Sequence, residues 1–103
     1  MDKIAGLKEI LALDGKNSLA RYGLAMELAG QGKTDEALRE FATLQANDPN
    51  YSAAYFMAAQ TLARVGRTPE AIEQLRRGIE CARRTGNSHA LSEMQAMLDD
   101  LDR

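Results

Sequence analysis

The sequence contains one histidine, His89, and one cysteine, Cys81, the residue types most often used for proton transfer and nucleophilic attack near neutral pH. No serine or aspartate is spaced from them as in a catalytic triad, and no Cys-x-x-Cys or His-x₃-His pair is present to bind zinc. Cys81 is expected to be a half-buried structural thiol on a helix. His89 is expected to be solvated. We therefore predict a protein that is not an enzyme, with no catalytic and no metal-binding residue.

Two further patterns for binding ions or nucleotides are incomplete. Residues 14–17, Asp-Gly-Lys-Asn, begin like a calcium-binding loop, but position 25, where the loop needs its closing carboxylate, is Ala. No glycine-rich phosphate-binding loop occurs. The sequence therefore predicts no cofactor.

The net charge of −2 argues against a general nucleic-acid binder, which needs a concentrated positive field. One predicted helix nevertheless carries a basic stripe, formed by Arg76, Arg77, Arg83 and Arg84. Glu73 and Glu80 stand three or four residues from these arginines, so ion pairs on the helix surface explain the stripe. The alternative is a rim that attracts an acidic partner.

Composition fits one soluble domain: of 103 residues, 45% are hydrophobic, 27% are charged and only two are proline. Charged residues interrupt the N-terminal stretch that a signal peptide would need to be apolar. No apolar run approaches the roughly 20 residues that cross a membrane, so no membrane association is expected. A single cysteine allows no internal disulfide, which favours a cytoplasmic location. Met1 and a closing helix favour a complete chain.

One short stretch occurs twice, 34 residues apart. Residues 31–38 read Gln-Gly-Lys-Thr-Asp-Glu-Ala-Leu, and residues 65–72 read Val-Gly-Arg-Thr-Pro-Glu-Ala-Ile. In each copy the Gly predicts the end of one helix and the Thr predicts the cap of the next. The Glu lies in the first turn, where the helix dipole favours negative charge. Each copy therefore predicts a tight helical hairpin, with an Ala that leaves room for a neighbouring helix.

Apolar residues at spacings of three and four predict six helices joined by short connections. The predicted helices cover residues 2–14, 18–31, 34–47, 51–65, 68–85 and 89–101. The 34-residue period also pairs Ala25 with Ala59 and Leu28 with Leu62, and a constant period of this kind is the signature of stacked helical hairpins. A helical bundle with a chance duplication is the alternative.

The repeat resembles the tetratricopeptide repeat family. Residues 18–51 match its pattern at Leu24-Ala25, Leu28, Gly32, Ala37, Phe41 and Pro49, and residues 52–85 match at Tyr55, Ala58-Ala59, Leu62, Gly66, Ala71, Leu75 and Gly78. Arg21 stands where an aromatic residue is usual, and Arg83 replaces the closing proline, which predicts a longer fifth helix. The resemblance implies an all-α superhelix of one domain, residues 1–103. Its parts are a half-repeat helix at 1–17, repeats at 18–51 and 52–85, and a capping helix at 86–103.

In this family the first helix of each repeat lines a concave surface, so the resemblance implies a non-catalytic protein-interaction module or scaffold. The implied partner-binding residues are mostly apolar: Leu19, Tyr22, Met26, Phe56, Met57, Gln60 and Arg64. Aromatic and Met side chains are enriched in binding surfaces, and we expect a peptide or an amphipathic helix of a protein partner there. The family's clasp for a chaperone carboxylate is not expected, because Tyr22 and Met26 occupy its Lys and Asn positions.

The alternative function is that of a homo-oligomerising structural protein. The first helix lacks a hairpin partner, so its face formed by Ile4, Leu7 and Leu11 is incompletely covered, and a two-fold homodimer would bury it. These side chains would otherwise only cover the end of the core.

The alternative to an open concave surface is that the last helix, or the extension of the fifth, folds back over it.

Overall fold

The computed structural model describes residues 2–103, which form six α-helices and no strand. The helices are α1 (Lys3–Leu13), α2 (Ser18–Gly30), α3 (Thr34–Asn47), α4 (Ser52–Arg64), α5 (Thr68–Thr85) and α6 (Ser88–Leu101). The predicted all-α class is confirmed, and no helix end differs from its predicted position by more than one residue. Helix α5 has 18 residues against 14 in α3, as the replacement of the closing proline by Arg83 predicted. Met1, one basis of the expectation that the chain is complete, lies outside the residues that the structure describes.

The helices group into two compact units, one that ends at Asp48 and one that comprises Pro49–Arg103. In the first unit, α2 packs against both α1 and α3. In the second unit, α5 packs against both α4 and α6, and α6 also touches α4. Within each unit, helices that follow one another along the chain pack together because their connections are only a few residues long.

The turns between α2 and α3 and between α4 and α5 have the same glycine geometry. Gly32 has φ 77° and Gly66 has φ 79°, left-handed values that a β-carbon disfavours. The following N–H groups reach back to the preceding helix, Lys33 to the Leu28 carbonyl and Arg67 to the Leu62 carbonyl, each at 2.9 Å. These bonds satisfy carbonyls that the helix end leaves unpaired.

The prediction that Thr34 and Thr68 cap their helices is wrong. The backbone carbonyls of Lys33 and Arg67 accept the first helical hydrogen bonds, from Ala37 and Ala71, both at 3.0 Å. Each Thr is therefore already inside its helix, and neither N-cap residue forms a side-chain cap bond. The charged Glu36 and Glu70 do lie in the first turns, as expected.

Each unit has its own core of residues that are at most 5% exposed. In the first unit the large members are Leu24, Leu28, Phe41 and Leu44. In the second they are Tyr55, Leu62, Leu75, Ile79 and Met94. The repeated small residues Ala37 and Ala71 are both 0% exposed, which agrees with their predicted place between closely packed helices.

Helix α1 has no fully buried side chain. Leu7 lies against Gly23 of α2, where a β-carbon would be 3.4 Å from Leu7 Cδ2. The three residues of the predicted dimer face, Ile4, Leu7 and Leu11, are all half-buried. The most exposed apolar side chains of α1 are instead Ile10, at 45%, and Leu13, at 93%.

Two other expectations are corrected by contacts within the second unit. Cys81 is fully buried rather than half-buried, because Ser52 of α4 covers it with Oγ at 3.6 Å from Sγ. The basic stripe on α5 is not explained by ion pairs, since none of the salt bridges recorded for residues 2–103 joins it to Glu73 or Glu80. Arg77 instead lies over the Tyr55 ring, 5.4 Å from its centre, and Arg84 donates to Asn50 Oδ1 at 3.0 Å.

Candidate functional site

The predicted binding face of α2 is open at Leu19 and partly used for packing at Tyr22. Leu19 is 73% exposed, and Met26, seven residues later on the same helix face, is half-exposed. The Tyr22 ring meets the Phe41 ring of α3 edge to face, with centroids 6.4 Å apart and planes at 62°. Tyr22 therefore supports the fold of the first unit, and Leu19 and Met26 are the more accessible apolar contacts.

Polar contacts hold α2 in place beneath this face. Arg21 Nη1 pairs with Glu40 Oε1 of α3 at 2.6 Å, and Arg21 Nη2 donates to the Gly15 carbonyl at 2.8 Å. Asn17 caps the helix by accepting from the Ala20 N–H at 2.9 Å. The unusual arginine of the first repeat thus fixes α2 to both α3 and the preceding turn.

The predicted face of α4 presents apolar and polar groups together. Phe56, Met57 and Gln60 are half-buried, and Arg64 at the helix end is exposed. Tyr55 anchors the start of the helix by donating its hydroxyl to the Pro49 carbonyl at 2.9 Å. The exposed parts of the predicted binding residues can therefore make apolar, amide and guanidinium contacts with a ligand.

A pocket of about 190 Å³ opens beside Phe56, within the second unit. It is lined from α4 and from the start of α6 by Ser52, Ala53, Phe56, Asn87, His89, Ala90 and Glu93. His89 Nε2 lies 3.2 Å from Glu93 Oε1 at the pocket, and the His89 side chain is 86% exposed, in agreement with its predicted solvation. Helix α6 forms one wall of this pocket but does not cover Phe56, which lines the pocket from α4 and is half-buried.

Sequence reasoning missed the α6 residues of this pocket. If α6 is aligned with α4 at a spacing of 36 residues rather than 34, His89 corresponds to Ala53, Glu93 to Met57 and Met94 to Ala58. The core residue Ala58 is 1% exposed and Met94 is 0% exposed, so the structure supports this alignment. Helix α5 is four residues longer than α3 and the connection after it is two residues shorter, which together give the two-residue displacement. Reading α6 as a displaced first helix would have identified the pocket wall.

Residues 2–103 contain no group of three or more His, Cys, Asp and Glu residues placed to hold a metal ion. None of their helices is both long enough and apolar enough to cross a membrane.

Comparison with known proteins identifies the family. The chain is similar to a tetratricopeptide repeat domain protein from Salinibacter ruber, with 33% identity, a TM-score of 0.79, and coverage of 85% of this chain and 89% of that one. It is also similar to a protein from Bordetella parapertussis, at 27% identity, TM-score 0.85, and coverage of 100% and 90%.

A third similar structure is YrrB, whose description reads "a TPR protein with an unusual peptide-binding site". It is 29% identical with a TM-score of 0.73, and the match covers 86% of this chain and 45% of that one. A search of curated proteins gave no match. The sequence profile of the family described as "Tetratricopeptide repeat" matches residues 9–87. The chain therefore belongs to the tetratricopeptide repeat family.

Proposed function

We propose that this protein is a non-catalytic interaction module that binds a peptide or helix of a partner protein. The proposed contacts lie on one helix face in each unit: Leu19, Tyr22 and Met26 on α2 of the first unit, and Phe56, Met57, Gln60 and Arg64 on α4 of the second. The observation that carries the proposal is the 73% exposure of Leu19, on the same α2 face as the half-exposed Met26. Large exposed apolar side chains that share a helix face are typical of interaction sites.

A similar structure supports the proposal. The related protein YrrB is described as having a peptide-binding site, and it is 29% identical to this chain.

We also propose a cytoplasmic location. The one cysteine, Cys81, is a buried free thiol, which is compatible with a reducing compartment.

The test is affinity capture from native lysate with matched variants. The test variant combines Leu19→Gln with Met57→Gln, and the control variant is Ala42→Gln, which makes the same kind of apolar-to-amide change at an exposed position of α3. We expect the control and the wild type to capture the same proteins, and the test variant to lose them while its thermal melting is unchanged. Full retention of every captured protein by the folded test variant would refute binding through these two faces.

We also propose self-association through α1 as a second function, favoured by the exposure of Ile10 and Leu13. A two-fold pairing would extend the predicted face of Ile4, Leu7 and Leu11 over these two residues. Light scattering should then give twice the chain mass at high concentration for the wild type and a single-chain mass for an Ile10→Gln, Leu13→Gln variant. A single-chain mass for the wild type would exclude the dimer.

A further inference from the structure

We infer that the pocket between α4 and α6 binds one aliphatic or methionine side chain of a partner polypeptide, next to a lysine or arginine of the same partner. This inference rests on the proposed function and specifies the chemistry of the partner. It concerns only residues of the second unit.

The size and lining of the pocket favour a single apolar side chain. Ala53 and Ala90 are small and apolar, and Phe56 adds an aromatic ring. The volume of about 190 Å³ is close to that of apolar cavities of about 150 Å³ that hold a benzene molecule. Aliphatic groups bury apolar area in such a site, and a methionine sulfur also interacts favourably with an aromatic ring.

The charge of the lining favours a basic neighbour for that side chain. Glu93 is the only carboxylate among the lining residues, which include no lysine and no arginine, and its Oε1 lies 3.2 Å from His89 Nε2. Its side chain is 47% exposed and is therefore within reach of a ligand cation. Because exposed ion pairs are weak, we expect a basic neighbour to improve affinity about two- to fivefold over an acidic one.

Both walls of the pocket are fixed before any ligand arrives. Asn87 caps α6 by accepting from the Ala90 N–H at 3.0 Å, and Met94 anchors the helix with a side chain that is 0% exposed. On the α4 side, Ser52 lies against the buried Cys81. A preformed pocket binds more tightly because little conformational entropy is lost on binding.

The test is a titration of the ¹⁵N-labelled full chain, followed by NMR, with three capped pentapeptides. Their sequences are Gly-Lys-Leu-Lys-Gly, Gly-Glu-Leu-Glu-Gly and Gly-Lys-Gly-Lys-Gly. We expect saturable shifts of the amides of Ala53, Phe56, Ala90 and Glu93 with the first peptide, two- to fivefold weaker binding of the second, and no saturable shifts with the third.

Matched variants separate the two parts of the inference. Ala90→Leu should fill the pocket and abolish binding of the first peptide, whereas Ala96→Leu, an exposed site on the same helix, should leave it unchanged. Glu93→Gln should remove the preference for basic over acidic neighbours. Glu73→Gln, on the exposed surface of α5, should retain that preference.

The inference is overturned if the lysine–leucine peptide causes no saturable shifts at the pocket, or if Ala90→Leu binds it as the wild type does. It is also overturned if the acidic and basic leucine peptides bind equally well to the wild type. Amide shifts confined to Leu19 and Met26 would overturn the inference that the peptide binds in the pocket, but would leave the proposed peptide-binding function intact.

Discussion

The sulfur of Met94 occupies the space that a β-carbon on Gly78 would fill. A β-carbon there would also lie 2.7 Å from Tyr55 Cβ, so α5 approaches both α4 and α6 closely at this point. The equivalent position 34 residues earlier is Leu44, which is 1% exposed. The second unit thus has a glycine where the first has a core leucine, and Met94 of α6 fills the space.

We expect Gly78→Ala to lower the free energy of unfolding by about 1–3 kcal/mol, because the added methyl must displace α4 or α6. Gly30→Ala is the matched control. A β-carbon at Gly30 meets nothing within 4 Å, so that substitution should raise the stability by about 0.5–1 kcal/mol. Urea denaturation measures both. A Gly78→Ala protein as stable as the wild type would show that α6 does not dock on this glycine.

Arg21 should contribute to the stability of the first unit through its pair with Glu40. Their side chains are only 16% and 26% exposed, so we expect Arg21→Leu to cost about 1–3 kcal/mol. Much of that cost reflects the Glu40 charge left without its partner, and Glu40→Gln in the same background should restore part of the stability. Chemical denaturation of the four proteins in this cycle gives the coupling energy.

Arg39→Leu, at an exposed position of α3, is the control for the loss of a positive charge, and it should change stability by less than about 0.5 kcal/mol. The position equivalent to Arg21 is Tyr55, whose hydroxyl also reaches a carbonyl six residues earlier. Arg21→Tyr should therefore be less destabilising than Arg21→Leu. A coupling energy near zero in the cycle would contradict a stabilising role for the Arg21–Glu40 pair.

Ala37 tests the close packing of α2 and α3. We expect Ala37→Leu to cost about 1–3 kcal/mol, because the site is 0% exposed and cannot accept a larger side chain without strain. Ala42→Leu, at an exposed position of the same helix, should change stability by less than about 0.5 kcal/mol. Thermal melting compares the two. Unchanged melting of Ala37→Leu would show that the helical hairpin is packed in a different register.

Glu70 should titrate abnormally because of Arg67. Hydrogen bonds from Arg67, with Nε at 2.8 Å and Nη2 at 2.7 Å, hold the pKa of the Glu70 carboxyl below its usual range. Since the folded pKa is the lower one, the stabilisation is present above the ordinary pKa of Glu. It is lost as the pH falls through the lowered value.

Arg67→Gln should raise the pKa of Glu70 toward its ordinary value, as measured by ¹³C NMR of the carboxyl group during a pH titration. Arg76→Gln is the matched control on α5, and it should leave the titration of Glu70 where it is in the wild type. If Glu70 titrates at the same pH with and without Arg67, the hydrogen bonds do not form in solution.

Local physical chemistry explains why the sequence by itself determined the helices. Their bounds follow from apolar spacing and from the glycines at 32 and 66, whose left-handed angles end one helix and allow the next to begin. The two threonine caps were predicted wrongly, because a shift of one residue decides whether a side chain caps a helix or lies within it.

The 34-residue period predicted stacked helical hairpins, and the resemblance to the tetratricopeptide repeat family implied the repeat positions and the faces of α2 and α4 that carry the candidate binding residues. It did not determine what lies next to those faces. Tyr22 packs on Phe41, which is 19 positions away in the sequence, and Ser52 covers Cys81, which is 29 positions away. Both contacts therefore depend on how the helices pack.

Only the tertiary structure placed α6 beside Phe56 and so formed the pocket with His89, Ala90 and Glu93. The period breaks there, because the longer α5 and the shorter connection after it together displace the next helix by two residues. Gly78 and Met94 then fix the position of α6 through packing that no local pattern contains. The sequence thus predicted which helix faces carry the candidate contacts, whereas helix packing decided which residues surround the pocket, because packing depends on shapes that meet only in the folded chain.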